Sequence, residues 1–117
     1  MTVSERRVRV YDDKQSLAAA VAARFIKRMR ETLAEKPEAH VVLTGGGMGE
    51  AVLAAVADHE NRGSVDWSRV TFWWGDERYL PSGDPERNET QSRRALLDAL
   101  ELPAANIKAY PAPGDHA

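Results

Sequence analysis

The stretch Val41-Val42-Leu43-Thr44-Gly45-Gly46-Gly47-Met48-Gly49 constrains this chain more than any other. Residues 39–43, with this short β-branched apolar run and no alternation, read as a strand covered on both faces, which is the signature of a parallel sheet. The glycines directly after it can hold backbone conformations that side chains forbid. Residues 50–58 are then rich in Ala, Val and Leu, with Val52, Leu53 and Val56 on one side, and predict a helix. Strand, glycine corner and helix in that order form the unit from which α/β folds are assembled.

The rest of the chain repeats the unit. Residues 7–11 alternate Val8 and Val10 with arginines, as a short half-buried strand does. Asp12 and Asp13 offer capping carboxylates to a long helix in which Leu17, Val21, Phe25, Met29 and Leu33 recur every four residues, with Ile26 beside them. Arg24, Lys27, Arg28, Arg30 and Glu31 take the opposite face, and Lys36-Pro37 ends the helix. Asn61-Arg62-Gly63-Ser64 breaks the second helix, and Val70-Thr71-Phe72-Trp73-Trp74 is the strongest strand signal. Residues 75–87, with two prolines and two glycines, form a loop. Asn88 is the predicted N-cap of a third helix over 89–100, with Ala95, Leu96, Ala99 and Leu100 as its apolar stripe. Residues 107–110 predict a last short strand. The expected fold is α/β: a parallel sheet with helices on both faces, Rossmann-like and three-layered. The whole chain, 1–117, is expected to be the N-terminal part of one such domain, incomplete here, since Pro111-Ala112-Pro113-Gly114 reads as a connection.

Composition narrows the partners. A length of 117 residues allows one domain and not two. Sixteen basic against eighteen acidic side chains leave a net charge of −2 with no basic segment, so nucleic acid is excluded as the main partner. The absence of cysteine excludes disulfides and thiolate chemistry. The alanine-rich run 16–25 is too short to span a bilayer, and the N-terminus has no signal-peptide core, so no membrane partner and a cytoplasmic location are expected. The acceptor-like Asn88-Glu89-Thr90 is then a chance match. His40, His59 and His116 have no metal-ligand spacing, no metal site is expected, and no serine stands in a G-x-S-x-G context.

Two constellations remain that can carry chemistry. Helix N-termini present unpaired N–H groups and partial positive charge, so Thr44, Gly45, Gly46 and Gly47 suit an anion, with the Thr44 hydroxyl as an added donor. The P-loop pattern fails because Glu50-Ala51 stands where lysine and a hydroxyl residue belong, and the dinucleotide fingerprint fails because its sixth position is Glu50. A plain tight turn needs fewer glycines. The second constellation is Gly75-Asp76-Glu77-Arg78-Tyr79, directly after the Trp73-Trp74 strand. If the two strands are parallel, both corners open on one sheet edge, and the two carboxylates and Arg78 face the anion. The alternative is a solvated, charged loop, and spacing leaves both open. Asn88 reads as a helix cap that contacts a ligand if the loop folds back. Arg93 and Arg94 are expected in solvent, and Trp67, Trp73 and Trp74 in core and edge packing, with a sugar platform at Trp74 the lesser alternative.

Taken in order, residues 41–49, residues 70–79 and the continuous run 86–97, from Glu86-Arg87-Asn88-Glu89-Thr90-Gln91-Ser92 through Arg93-Arg94-Ala95 to Leu96-Leu97, resemble the 6-phosphogluconolactonase family over nearly the whole chain. The resemblance implies hydrolysis of 6-phospho-D-glucono-1,5-lactone to 6-phosphogluconate in the oxidative pentose phosphate pathway. It also implies a fold shared with glucosamine-6-phosphate deaminase and ribose-5-phosphate isomerase, and no metal or organic cofactor. It assigns Asp76 and Arg78 to the catalytic site and Thr44, Gly45, Gly46, Gly47, Arg78 and Asn88 to binding a small sugar phosphate. The deaminases typically carry tyrosine at the place of Arg78, so Asp76-Glu77-Arg78 favours the lactonase. Two departures stand out. Met48-Gly49 replaces the hydroxyl residue and proline common in the wider superfamily, and the family's catalytic histidine in a glycine-flanked motif has no match, Gly114-Asp115-His116 included. The base is thus expected in a further C-terminal half, and these 117 residues alone, preferably monomeric, are expected to bind with little or no turnover. A non-catalytic binding fragment is the alternative of another class.

Overall fold

The computed structural model describes residues 13–114; the strand predicted at 7–11 and His116 lie outside the described residues. Helix α1, Lys14–Glu35, starts where extended Asp13 turns its carboxylate onto the Ser16 N–H at 2.8 Å. Its buried stripe is Ala18, Ala22, Ile26, Met29 and Leu33. Leu17, Val21 and Phe25 of the predicted row are half-buried, because a period of four drifts around a helix of about 3.6 residues per turn. The alanines take the closest contact. The charged face from Arg24 to Glu31 is exposed, as its spacing predicts. At the other end, the Arg69 guanidinium donates to the carbonyls of Leu33, Lys36 and Pro37 at 2.9, 2.7 and 2.8 Å.

Strands β1 (Ala39–Leu43), β2 (Val70–Trp74) and β3 (Ile107–Lys108) form one parallel sheet in the order β1-β2-β3. Register runs from Ala39 opposite Val70 to Leu43 opposite Trp74, and Phe72 pairs with Ile107. Of the predicted last strand only Ile107 and Lys108 join the ladder. The Asn106 side chain holds them there by donating to the carbonyls of Ser68 and Val70, both at 2.9 Å.

One sheet face carries Ala39, Leu43, Val70, Phe72 and Trp74, all buried in the core with residues of α1 and of α2, Gly47–Asp58. Phe25, Trp67 and Phe72 stack across it at centroid distances of 6.1 and 6.4 Å. On the reverse face His40, Val42 and Trp73 are exposed, and Trp73 donates its indole N–H to His40 Nδ1 at 3.0 Å. The α/β class and the parallel sheet hold, with one helical layer among the described residues.

Helix α2 begins three residues before the predicted Glu50, because the end of β1 places its first turn regardless of glycine's weak helix propensity. Arg62 caps its far end by donating to the Ala57 carbonyl at 2.7 Å. Helix α3, Asn88–Ala95, is shorter than predicted. Leu96 leaves helical geometry at φ −145°, and a 3-10 turn at Leu97–Ala99 follows. That break buries Leu96 and Leu97 together in the core and leaves Ala99, assigned to the stripe, exposed. Tertiary burial outweighs the periodicity of the segment.

Candidate active site

Parallel register brings the two corners together. Leu43 and Trp74 are paired, and the Gly75 N–H donates to the Leu43 carbonyl at 3.0 Å, so Thr44 and Gly75 leave the sheet side by side. Thr44, Gly45, Gly46, Gly75, Asp76, Arg78 and Asn88 line one open cleft of about 440 Å³ at the carboxyl end of the sheet. Gly47 lies in an adjoining cleft with Arg78, Tyr79 and Asn88. Thr44, Gly45, Gly46, Gly47, Asp76, Arg78 and Asn88 therefore meet at one edge.

The glycines of the corner have separate reasons to be glycine. Gly46 sits at φ 96° and ψ 164°, a region that residues with a Cβ avoid. A Cβ on Gly45 would overlap the Asn88 side-chain amide, so Gly45 lets α3 approach β1. A Cβ on Gly49 would stand 2.8 Å from the Thr44 carbonyl oxygen. Gly46 is the N-cap of α2 and supplies no side-chain hydrogen bond, which leaves the first N–H groups of the helix to solvent or a ligand. Lys14, not singled out by any spacing, brings its ammonium group to this corner: a Cβ on Gly47 would be 2.7 Å from Nζ.

Around the second corner the carboxylates divide. The Asn88 side chain donates to the Asp76 carbonyl at 3.3 Å and to its carboxylate at 3.4 Å, and Asp76 stays on the cleft. Glu77 does not face the anion with it. Its carboxylate accepts from the N–H groups of Arg78, Asn88 and Glu89 at 2.8, 2.6 and 2.8 Å. The Arg78 side chain is exposed, and among the described residues no hydrogen bond or ion pair holds its guanidinium. Asn88 is the first residue of α3 and not its N-cap; Arg87 takes the cap position, and Glu77 caps the helix from outside. Loop and helix fold back on each other, so the amide of Asn88 is turned toward the cleft.

Arg87, which the sequence places in the loop 75–87, is 1% exposed. Its guanidinium donates to Glu89 at 3.0 Å, to the Leu80 carbonyl at 3.2 Å and to the Tyr110 carbonyl at 2.6 Å. No local spacing announces this, because its partners come from three separate segments. Trp74 is buried with its indole N–H on Ser92 Oγ at 3.2 Å, so it is a core residue and not a platform. Arg93 pairs with Glu89 at 2.8 Å and is partly covered, while Arg94 is exposed. His40 opens β1 at the end away from the cleft, about 13 Å along the strand. His59 follows α2 and accepts from the Asn61 N–H. Among the described residues neither histidine lines the cleft, no cluster of three metal-ligating side chains occurs, and no helix is long and apolar enough to cross a membrane.

Known proteins resemble this chain in sequence and fold. The family model described as glucosamine-6-phosphate isomerases/6-phosphogluconolactonase matches residues 12–117. A 6-phosphogluconolactonase of Streptomyces coelicolor is 48% identical over 103 residues, which cover 88% of this chain and 40% of that protein. The Mycobacterium leprae 6-phosphogluconolactonase is 38% identical over 105 residues, covering 90% of this chain and 42% of the relative. The crystal structure of 6-phosphogluconolactonase from Thermotoga maritima superposes with a TM-score of 0.74 at 25% identity, over 86% of this chain and 44% of that one. A monomeric glucosamine-6-phosphate deaminase shares the fold at a TM-score of 0.71 and 18% identity. The chain spans about 40% of the length of the curated relatives it matches. With corners, sheet edge and helix order all in place, this chain belongs to the glucosamine-6-phosphate isomerase/6-phosphogluconolactonase family.

Proposed function

We propose that the cleft between the two corners binds a sugar phosphate, and that the chain is the substrate-holding part of a cytoplasmic hydrolase acting on 6-phospho-D-glucono-1,5-lactone. One observation carries the reading: Gly46 at the N-cap of α2, Arg78, whose guanidinium has no partner among the described residues, and Asn88 line one cleft together with Asp76. Backbone N–H groups and a planar guanidinium match phosphate or carboxylate oxygens, and Asp76 suits sugar hydroxyls or a water. The lactonases among the relatives supply the substrate class. Water must be activated to attack a lactone carbonyl, and among the described residues no histidine stands at the cleft to do so. On this reading the 117 residues, taken as a monomer, bind the substrate with little or no turnover.

Titration of the chain with 6-phosphogluconate, followed by amide shifts or calorimetry, tests the binding. Binding is expected, and Arg78→Met is expected to weaken it about 10- to 100-fold, the worth of a charge-assisted hydrogen bond. Binding indifferent to Arg78→Met, or none at all, overturns the reading of the cleft. Fresh lactone is expected to hydrolyse at its spontaneous rate. Acceleration that survives replacement of His40, His59 and His116 by Ala would show that a side chain other than histidine serves as the base.

A further inference from the structure

The acidic residue that the two-corner reading placed beside the ligand has another task. We infer that Glu77 is a positioning residue, which fastens the corner after β2 to the first turn of α3 so that Arg78 and Asn88 address the same anion. The inference rests on the proposed sugar-phosphate reading of the cleft and says how that cleft is held in shape.

One carboxylate spans both halves of the site. Oε1 accepts from the Arg78 N–H at 2.8 Å and from the Asn88 N–H at 2.6 Å, and Oε2 accepts from the Glu89 N–H at 2.8 Å. The Glu77 side chain is 4% exposed, so these are bonds formed out of water and not a passing surface contact. Three N–H groups taken up by one anion leave little capacity for proton transfer to a substrate, which argues against Glu77 as a catalytic acid or base. Nothing else among the described residues caps α3: its N-cap, Arg87, offers no side-chain cap hydrogen bond.

A carboxylate buried this far requires a counter-charge. Arg87 supplies it: its Nε lies 3.9 Å from Glu77 Oε2 while donating to Glu89 Oε1 at 3.0 Å, and its other two nitrogens donate to the carbonyls of Leu80 and Tyr110. Loop, helix and the segment after β3 are thereby tied through one buried guanidinium. No buried side-chain nitrogen or oxygen among the described residues lacks a partner, so this cluster is fully satisfied. The glycine corner is locked to it in turn, since Gly45 touches the Asn88 amide. An isosteric Glu77→Gln change would present an NH2 group to at least one N–H donor. The hold on one of the two segments would then be lost without any change of side-chain volume.

The test has a structural arm and a binding arm. In the wild-type chain, long-range HNCO spectra are expected to show couplings across hydrogen bonds from the Glu77 side-chain carbon to the amide nitrogens of Asn88 and Glu89. Their absence in a folded sample overturns the proposal, and no variant needs to fold for this measurement. In Glu77→Gln, amide exchange at Asn88 and Glu89 is expected to quicken about tenfold or more, while Phe72 and Val41 in the sheet keep their protection. Unchanged exchange at those two amides also overturns it.

The binding arm is a double-mutant cycle on 6-phosphogluconate affinity. Glu77→Gln is expected to weaken binding about tenfold in the wild-type background and much less when Arg78→Met and Asn88→Ala are already present. Equal losses in both backgrounds would mean general destabilisation and sink the positioning role. Failure of the wild-type chain to bind would defeat the sugar-phosphate reading, while the couplings and exchange rates still decide what Glu77 holds.

Discussion

Single residues set the local geometry of the cleft, and two of them make sharp predictions. Gly46, at φ 96° and ψ 164°, occupies a region closed to L residues, so Gly46→Ala is expected to cost about 1–3 kcal/mol in chemical denaturation and to weaken 6-phosphogluconate binding. An unchanged denaturation midpoint would mean that the corner relaxes freely. Asp13 makes a pH prediction. The Ser16 backbone N–H, then the Ser16 hydroxyl, favour its ionised form and hold its carboxyl below the ordinary value of 3.8. The stability it contributes is present above that value and is lost as pH falls through the lower folded-state value. Wild type and Asp13→Ala should therefore differ in urea midpoint at about pH 7, and the gap should close as pH falls below the ordinary carboxyl value, wild type losing its advantage. A gap that persists in acid would assign the effect to packing.

At the level of elements, the ends of helices are fixed by residues distant in sequence. Arg69, just before β2, closes the last turn of α1 through three carbonyls, so Arg69→Met is expected to lower stability by about 1–3 kcal/mol and to raise amide exchange in the last turn of α1 first. Uniform exchange along α1 would refute the capping role. The same logic explains why Asn88 was misread as a cap. Asn is a good N-cap by propensity, but Glu77 reaches the N–H groups first and leaves the Asn88 side chain to Asp76. The truncated α3 has a similar origin, because Leu96 and Leu97 are buried side by side where the predicted helix would have continued for five more residues. The early start of α2 at Gly47 reflects the position of β1's end and not the propensity of its first residues.

For the whole molecule, the asymmetry of the sheet decides what each substitution costs. Phe72 is fully buried between α1, α2 and Trp67, and Phe72→Ala is expected to cost about 3–5 kcal/mol. Val42 is 63% exposed on the reverse face, and Val42→Thr is expected to stay within about 0.5 kcal/mol in this chain. Comparable losses at both positions, measured by urea unfolding, would contradict the one-sided core. The sequence by itself determined the α/β class, the limits of β1 and β2, the charged face of α1 and the glycine corner. These depend on patterns of apolarity and on glycine's lack of a Cβ, which are local. Only the tertiary structure decided that Asp76 stays at the cleft while Glu77 turns away, that Arg87 is buried, and that Lys14 reaches Gly47. A buried ion pair and a shared hydrogen-bond acceptor are satisfied by whichever groups the fold brings within about 3 Å, and no spacing along the chain encodes that distance.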